Sequence, residues 1–372
     1  MPRPALPYIL WCCAFLLACL ASLFLVNNDA TAQNAFVGFG WFFGVSLILC
    51  FLVQSPVLVR ACGYGIVTAV LVLSVLSIME FLNPDFQVVV DALFEDQTRV
   101  GELNRSGSLY LNPNDNGTAM VLGMVAGLYF VPRQLRFIFM LLVGAAVFGT
   151  VSRGSLTIWA IAVVMSLILG FGTKNKVFGL VGVLFVILLG YLLISGQVPE
   201  ILASFGFGNL LSVDMVQRLS QNFFTQEDGS TLGRIAVARE AWAFFLENSI
   251  SGIGLGASDV IEVSGTSVGT HNQHLKIASE MGVFGLLIYA GLFFVALKSG
   301  SALAFTFIFL YAVISVTNHS MMTYTVYAVL IPAALVFVPV LQRNELQNQP
   351  RSRRRRRRKR RSLSTSEREL SA

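Results

Sequence analysis

Gly269-Thr-His-Asn-Gln-His-Leu-Lys-Ile-Ala-Ser-Glu-Met-Gly-Val-Phe-Gly285 lies where a long polar segment meets an apolar run that continues to Leu297. An apolar run of about 20 residues is enough to cross a bilayer as a helix. The polar side supplies two of the chain's three histidines, His271 and His274. An imidazole titrates near neutral pH, and glycines such as Gly282 and Gly285 let a membrane helix pack closely on a neighbour. The stretch therefore points both to helices in a membrane and to a candidate site at their boundary.

Outward from it, the composition agrees. Of 372 residues, 55% are hydrophobic and 12% charged, against about 25% charged in an average soluble domain. Apolar runs recur over residues 6–26, 35–53, 61–82, 117–131, 135–151, 155–171, 177–195, 277–297, 302–317 and 324–341. The expected fold class is all-α: a polytopic integral membrane protein of about ten transmembrane helices. A membrane β-barrel would instead show short strands of alternating polarity.

Arg3, Arg60, Arg133, Arg136, Lys174, Lys176, Lys298 and Arg343 fall at every second boundary. The positive-inside rule then places both termini in the cytoplasm. Ala30-Thr-Ala32 resembles a signal-peptide cleavage site, but the preceding apolar run is longer than a signal peptide needs, so a retained anchor is expected. Two long segments face outward, 83–116 and 196–274. The second is a periplasmic loop with helical periodicity over 232–247, where Ile235, Ala238, Trp242 and Phe245 share a stripe. Ser230 suits its N-cap, and the stripe suits an amphipathic helix lying on or between the spans. The division expected is 1–110 for the first spans and first outer loop, 111–342 for the main membrane domain with its loop 196–274, and 343–372 for a tail.

Twelve of the 26 Lys and Arg residues, but only three of the 20 Asp and Glu, lie from Arg343 onward. The net charge of +6 is therefore a property of the Arg-rich tail, which reads as disordered by composition. Its expected partner is the anionic lipid of the inner leaflet, at about 1 kcal/mol per basic residue near the surface. No nucleic acid is expected, because the run is tethered to a membrane. Cys12, Cys13, Cys19, Cys50 and Cys62 lie in or beside apolar runs, with neither disulfide nor metal spacing.

Three side chains stand out chemically. Arg153, in Val-Ser-Arg-Gly-Ser, is the one basic residue in the short outward loops, and its fork matches a phosphate. A snorkelling arginine at a helix end is the plainer reading. His271 is a candidate general base, with His274 one turn on sharing the site or capping the span. Arg234 opens the loop helix, where spacing alone gives a solvated charge. Arg239, about 140° further round at 3.6 residues per turn, and Arg218 are weaker candidates for substrate binding. Asn114 and Asp115, in Leu111-Asn-Pro-Asn-Asp-Asn-Gly117, suit a sugar contact or a helix cap. The amides of Gly252, Gly254 and Gly256 could face a phosphate. His271 and His274 with Asp259 or Glu262 do not fix a metal geometry, so neither metal nor cofactor is expected. No role is assigned to His319.

His271-Asn272, Leu275, Glu280 and the Gly-Val-Phe-Gly285 step resemble the signature of the bacterial O-antigen ligase and polymerase superfamily. Ser-Arg153-Gly, Gly-Arg234 followed by Trp242 and the Gly-Ile-Gly-Leu-Gly256 turn, and the Asn-Pro-Asn element at Asn114 resemble further family motifs, so the likeness runs from about Leu111 to Tyr289. It implies a membrane glycosyltransferase that moves a glycan from undecaprenyl diphosphate to an acceptor hydroxyl at the periplasmic face. The acceptor would be lipid A–core for a ligase in lipopolysaccharide assembly, or another lipid-linked glycan for a polymerase of O-antigen or exopolysaccharide. The resemblance places His271 as base and promotes Arg234 and Arg153 to the diphosphate, giving a metal-independent, inverting enzyme. A polysaccharide transporter or flippase is the rival class. It would show repeated halves and broken helices at the midplane, whereas here the spans are nearly uncharged apart from Glu80 near an outer end.

Overall fold

The computed structural model describes residues 5–26, 29–52, 55–92, 105–110, 112–170, 197–204, 229–260, 262–263, 266–267, 269–318 and 320–347, with isolated positions between 180 and 216. Its elements are α1 (Ala5–Leu25), α2 (Ala30–Leu52), α3 (Pro56–Leu82), α4 (Pro84–Asp91), α5 (Pro113–Gly127), α6 (Arg136–Gly149), α7 (Arg153–Ile168), α8 (Val198–Ser204) and α9 (Gly229–Glu247). A 3-10 turn (Ala257–Val260) and a two-residue antiparallel pair, β1 (Glu262–Val263) and β2 (Thr266–Ser267), follow. The chain continues through α10 (Gln273–Ser299), α11 (Ala302–Ser315), α12 (Thr325–Pro332), a π turn (Ala333–Phe337) and α13 (Val338–Gln347).

Helices thus occupy nine of the ten apolar runs. The run 177–195 lies largely outside the described residues, as does the tail from 348 onward. Among the described residues, Ala5–Leu25, Ala30–Phe51, Pro56–Leu82 and Thr325–Glu345 are long and apolar enough to cross a membrane, as is Gln273–Ser299 when taken end to end across its break at Gly282. Arg136–Gly149, Arg153–Ile168 and Ala302–Ser315 are apolar but shorter. One hydrophobic core runs from Ala5 through Leu341. Small residues admit aromatic partners to it: a methyl added at Gly144 would lie 2.3 Å from the Trp159 ring, and one at Gly63 2.2 Å from Phe130.

The bundle has two unlike ends. Tyr129 lies within electrostatic range of Arg60, Arg136 and Glu345, so the start of α3, the start of α6 and α13 share one end. The other end gathers the close of α3 and α6 with the starts of α5, α7 and α10. There Ser106 and Ser108 both donate to Glu80, at 2.7 and 2.9 Å, and the Ser106 amide donates to the Gly149 carbonyl at 3.1 Å. Glu80 is thus the anchor that holds the chain entering α5 over the end of α3.

The decisive feature is a reversal inside α10. Gly282 has φ 63° and ψ −163°, a region that only glycine occupies readily. His274 and Tyr289 are 15 residues apart on α10, which would separate them by about 22 Å on a straight helix. Their rings are in fact 5.5 Å apart. The segment before Gly282 folds back on the segment after it. This corrects the expectation that Gly282 serves close packing of a continuous span.

Breaking a helix orphans carbonyls before the break and amides after it. The turn after α9 satisfies them. Ile253 and Gly254 amides donate to Ser279 and Glu280 carbonyls at 2.8 and 3.1 Å, and the Val283 amide donates to the Ser249 carbonyl at 2.8 Å. The approach is backbone on backbone. A methyl at Gly282 would sit 2.2 Å from the Ile250 oxygen, and one at Gly252 2.3 Å from the Glu280 carbonyl. The glycine amides are therefore not presented to a phosphate: Gly252 donates to Asn248, Gly254 to the Glu280 backbone, and the Gly256 amide favours the ionised form of the nearby Glu280 carboxylate.

Gly282→Ala is expected to lower stability by at least the roughly 1–3 kcal/mol of the backbone region alone. Gly40→Ala, where a methyl meets nothing within 4 Å, should leave it unchanged. Melting of the detergent-purified variants checks this, and equal melting temperatures would refute the reversal.

Candidate active site

Three helix starts meet at the Glu80 end. Each is capped by a short polar side chain, as free amides at a helix start require. The Asn112 side chain accepts from the Asn114 amide in α5, Ser152 from Ser155 in α7, and Asn272 from Leu275 in α10 at 3.1 Å. Each start bears about half a positive charge from the helix dipole. Together they suit an anion.

Hydrogen bonds stitch the three together. The Ser155 hydroxyl donates to the Asn114 carbonyl at 3.3 Å, and Gly117 clears the space, since a methyl there would lie 2.6 Å from the Ser155 Oγ. Asp115 accepts from the Asn318 amide at 2.9 Å and from the Tyr324 hydroxyl at 3.2 Å. The Asn318 carbonyl then accepts the Gln273 amide at 3.1 Å. Asp115 of α5 is thereby linked, through Asn318, to the first residue of α10.

Arg153 opens α7 and is half-buried. Two residues earlier, Val151 holds φ at +50°, an outlier for a β-branched side chain. Such strain gathers at functional positions. Asn114 is engaged on both sides: its carbonyl by Ser155, its side-chain oxygen by the Arg105 guanidinium at 3.1 Å. Arg105 is buried and also donates to the Thr150 carbonyl at 3.1 Å, which ties the strained turn to the start of α5.

The Arg234 charge on α9 reaches His271 at the start of α10 electrostatically. Val237 and Ala241 of α9 are buried with Phe244 and Leu275 against them. The packed face is thus Val237 and Ala241, whose small side chains permit close approach, while Ile235 and Trp242 of the expected stripe stay exposed. Ser230 falls inside the first turn of α9 rather than at its cap. Burial lowers the His271 pKa below its usual value, and the Arg234 charge lowers it further. A half-buried imidazole kept neutral in this way can accept a proton at neutral pH.

His274 faces elsewhere: its Nε2 is 3.0 Å from the Ala312 carbonyl and its ring lies against Tyr289. Arg239 is exposed on α9. Arg218, His319 and the Glu262 side chain lie outside the described residues. Among the described residues, no three His, Cys, Asp or Glu side chains gather as a metal site.

A last group surrounds the turn that holds His271. The Lys276 ammonium contacts Asp259 and lies 3.2 Å from Glu280, whose side chain is 0% exposed. The Ser258 hydroxyl donates to Glu280 at 2.6 Å. The Ser258 carbonyl accepts the Thr270 amide at 3.3 Å. His271 is thus flanked by two fixed backbone points, Thr270 through Ser258 and Gln273 through Asn318.

Residues 137–290 match the family model described as O-antigen ligase. Over this stretch the chain is similar to the O-antigen ligase family. The stretch takes in Arg153, Arg234, His271, Lys276 and Glu280, while Glu80, Arg105, Asp115 and Asn318 reach the site from outside it. No curated protein matches the chain.

Sequence reasoning assigned no role to Arg105, Asn318 or Lys276, and named Glu80 only as a charge and Asp115 only as a cap or sugar contact. Two signals were available: polar residues crowd the ends of the same apolar runs, and Lys276 stands four residues before Glu280, which pairs them on one helix face.

Arg234→Ala should raise the His271 pKa, because a positive neighbour disfavours the imidazolium. Burial, the larger cause, stays, so the value should remain below that of a free histidine. Titration of histidine-labelled protein by NMR, with His271→Gln assigning the signal, checks this. An unchanged or lowered pKa would separate the two residues.

Proposed function

We propose that the protein is an inner-membrane glycosyltransferase that moves a glycan from undecaprenyl diphosphate to an acceptor hydroxyl, as an O-antigen ligase acting on lipid A–core. The observation that carries this reading is a half-buried His271 within electrostatic reach of Arg234, both in the stretch that matches the O-antigen ligase model. The convergent helix starts and the strained turn before Arg153 support it. In this reading about ten helices cross the membrane, both termini are cytoplasmic, and the site opens to the periplasm at the end opposite Arg60 and Arg136. The division into 1–110, 111–342 and the tail 343–372, with the tail on anionic lipid, belongs to the same proposal.

The donor's diphosphate lies across Arg153 and Arg234. His271 takes the proton of the acceptor hydroxyl as its oxygen attacks the anomeric carbon. The bond from that carbon to the diphosphate oxygen breaks, and undecaprenyl diphosphate leaves with the electron pair. Attack from the face opposite the leaving group inverts the configuration. The arginines meet charge growing on the leaving group, which is electrostatic stabilisation of the transition state. In this reading they do the work a metal ion does elsewhere. Arg239, Arg218 and Asn114 are kept as substrate contacts around this centre, and His274, turned to Ala312 and Tyr289, is left out of it.

A polymerase would use the same chemistry on a lipid-linked acceptor. Glycans from cells lacking the gene distinguish the two. A ligase leaves long chains on undecaprenyl diphosphate and none on lipid A–core, whereas a polymerase leaves single repeats attached and no ladder. Rescue with His271→Ala should fall about 10²–10⁴-fold, and with Arg153→Ala or Arg234→Ala about 10²–10³-fold, at equal amounts of inserted protein. Full rescue by both arginine variants would refute the diphosphate assignment.

A further inference from the structure

Lys276 and Glu280 are buried, with side chains 3% and 0% exposed, and neither takes part in the displacement described above. Burying two charges is costly, and the cost is tolerated where good geometry and further hydrogen bonds repay it. Here the further bonds lead to one place. Glu280 accepts the Ser258 hydroxyl at 2.6 Å, and the nearby Gly256 amide favours its ionised form. Lys276 reaches across to Asp259, the residue after Ser258. The Ser258 carbonyl accepts the Thr270 amide at 3.3 Å, and the Thr270 carbonyl accepts the Asn272 amide at 2.6 Å, closing a tight turn around His271. The Asn272 carbonyl in turn accepts the Lys276 amide at 2.9 Å.

We infer that Glu280 is a positioning residue for His271. It acts through Ser258, while Lys276 compensates its charge and draws Asp259 onto the same turn. The inference rests on His271 serving as the base. It assigns Glu280 no contact with substrate. Its carboxylate fixes residues 256–259, and these fix the backbone on the amino side of His271. A general base displaced by about 1 Å can lose about 100-fold in rate, so such a support acts on turnover more than on substrate binding.

The test uses the full-length protein, purified in detergent, with a lipid-diphosphate-linked glycan and its acceptor. Lys276→Met/Glu280→Leu removes both charges and the acceptor for Ser258. Lys276→Met/Glu280→Gln removes both charges but leaves an amide oxygen for Ser258 to donate to. The first should lose about 100-fold in kcat with KM for the donor little changed, and the second should recover most of that loss. Ser258→Ala, which leaves the ion pair intact, should resemble the first. Carbethoxylation of His271 by diethyl pyrocarbonate, read by mass spectrometry against His274, provides a readout that needs no turnover. It should quicken in the Leu variant and in Ser258→Ala, and not in the Gln variant.

Equal loss of kcat in both double variants, or a loss that merely follows the amount of folded protein, would overturn the inference. So would unchanged carbethoxylation in Ser258→Ala. If the wild type transfers nothing, or His271→Ala transfers as well as wild type, the functional reading falls instead, and the carbethoxylation rates still decide whether Glu280 positions His271.

Discussion

The reversal at Gly282 is the constraint on which the site depends. A continuous helix from Gln273 to Ser299 would carry His274 about 22 Å from Tyr289, and with it His271 away from the bundle. The fold-back instead sets the start of α10 beside Asn318 and Ala312 at the end of α11. The orphaned groups at the break are met by the Ser249–Gly254 turn, so α9 is bound to α10 by backbone as well as by Val237 and Ala241. Arg234 is consequently brought within electrostatic reach of His271 by the same contacts that satisfy the break.

Electrostatics make this end suited to an anion. The starts of α5, α7 and α10 bring positive dipole ends together, and Arg153 and Arg234 add full charges. Such an end attracts an anion, and it also holds carboxylates in place. Glu80, Asp115 and Glu280 are all buried there, each accepting hydrogen bonds from a loop that would otherwise be loosely held. Glu80 holds 106–108, Asp115 holds the Asn318–Tyr324 turn, and Glu280 holds 256–259. The anionic side chains thus act as fasteners for the loops around a cationic centre.

Much of this is legible in the sequence. The apolar runs give the helices, because about 20 apolar residues have few other stable arrangements, and the His-Asn-to-Gly-Val-Phe-Gly stretch gives the family that residues 137–290 match. What spacing could not give is the direction of the chain at Gly282. Glycine suits both close helix packing and a left-handed break, and only the pairing of Ile253 and Gly254 amides with α10 carbonyls decides between them. The stripe of α9 that the spacing shows, with Ile235 and Trp242 exposed, is the face suited to lie on a membrane, while Val237 and Ala241 make the contact with Leu275 that spacing does not single out. Arg105 was illegible because its partners, Thr150 and Asn114, meet it only through the folded chain, and so was the Lys276–Asp259 contact, whereas Lys276 and Glu280 stand four residues apart on one helix, a spacing the sequence does show.

The most direct measurement is transfer by the purified protein in the presence of EDTA, from a lipid-diphosphate-linked glycan of known anomeric configuration, with the product linkage read by NMR. The account predicts transfer that persists in EDTA, gives the inverted linkage, and is lost in His271→Gln. A retained configuration, or transfer that EDTA abolishes and a divalent ion restores, would contradict a single displacement driven by arginines and a histidine.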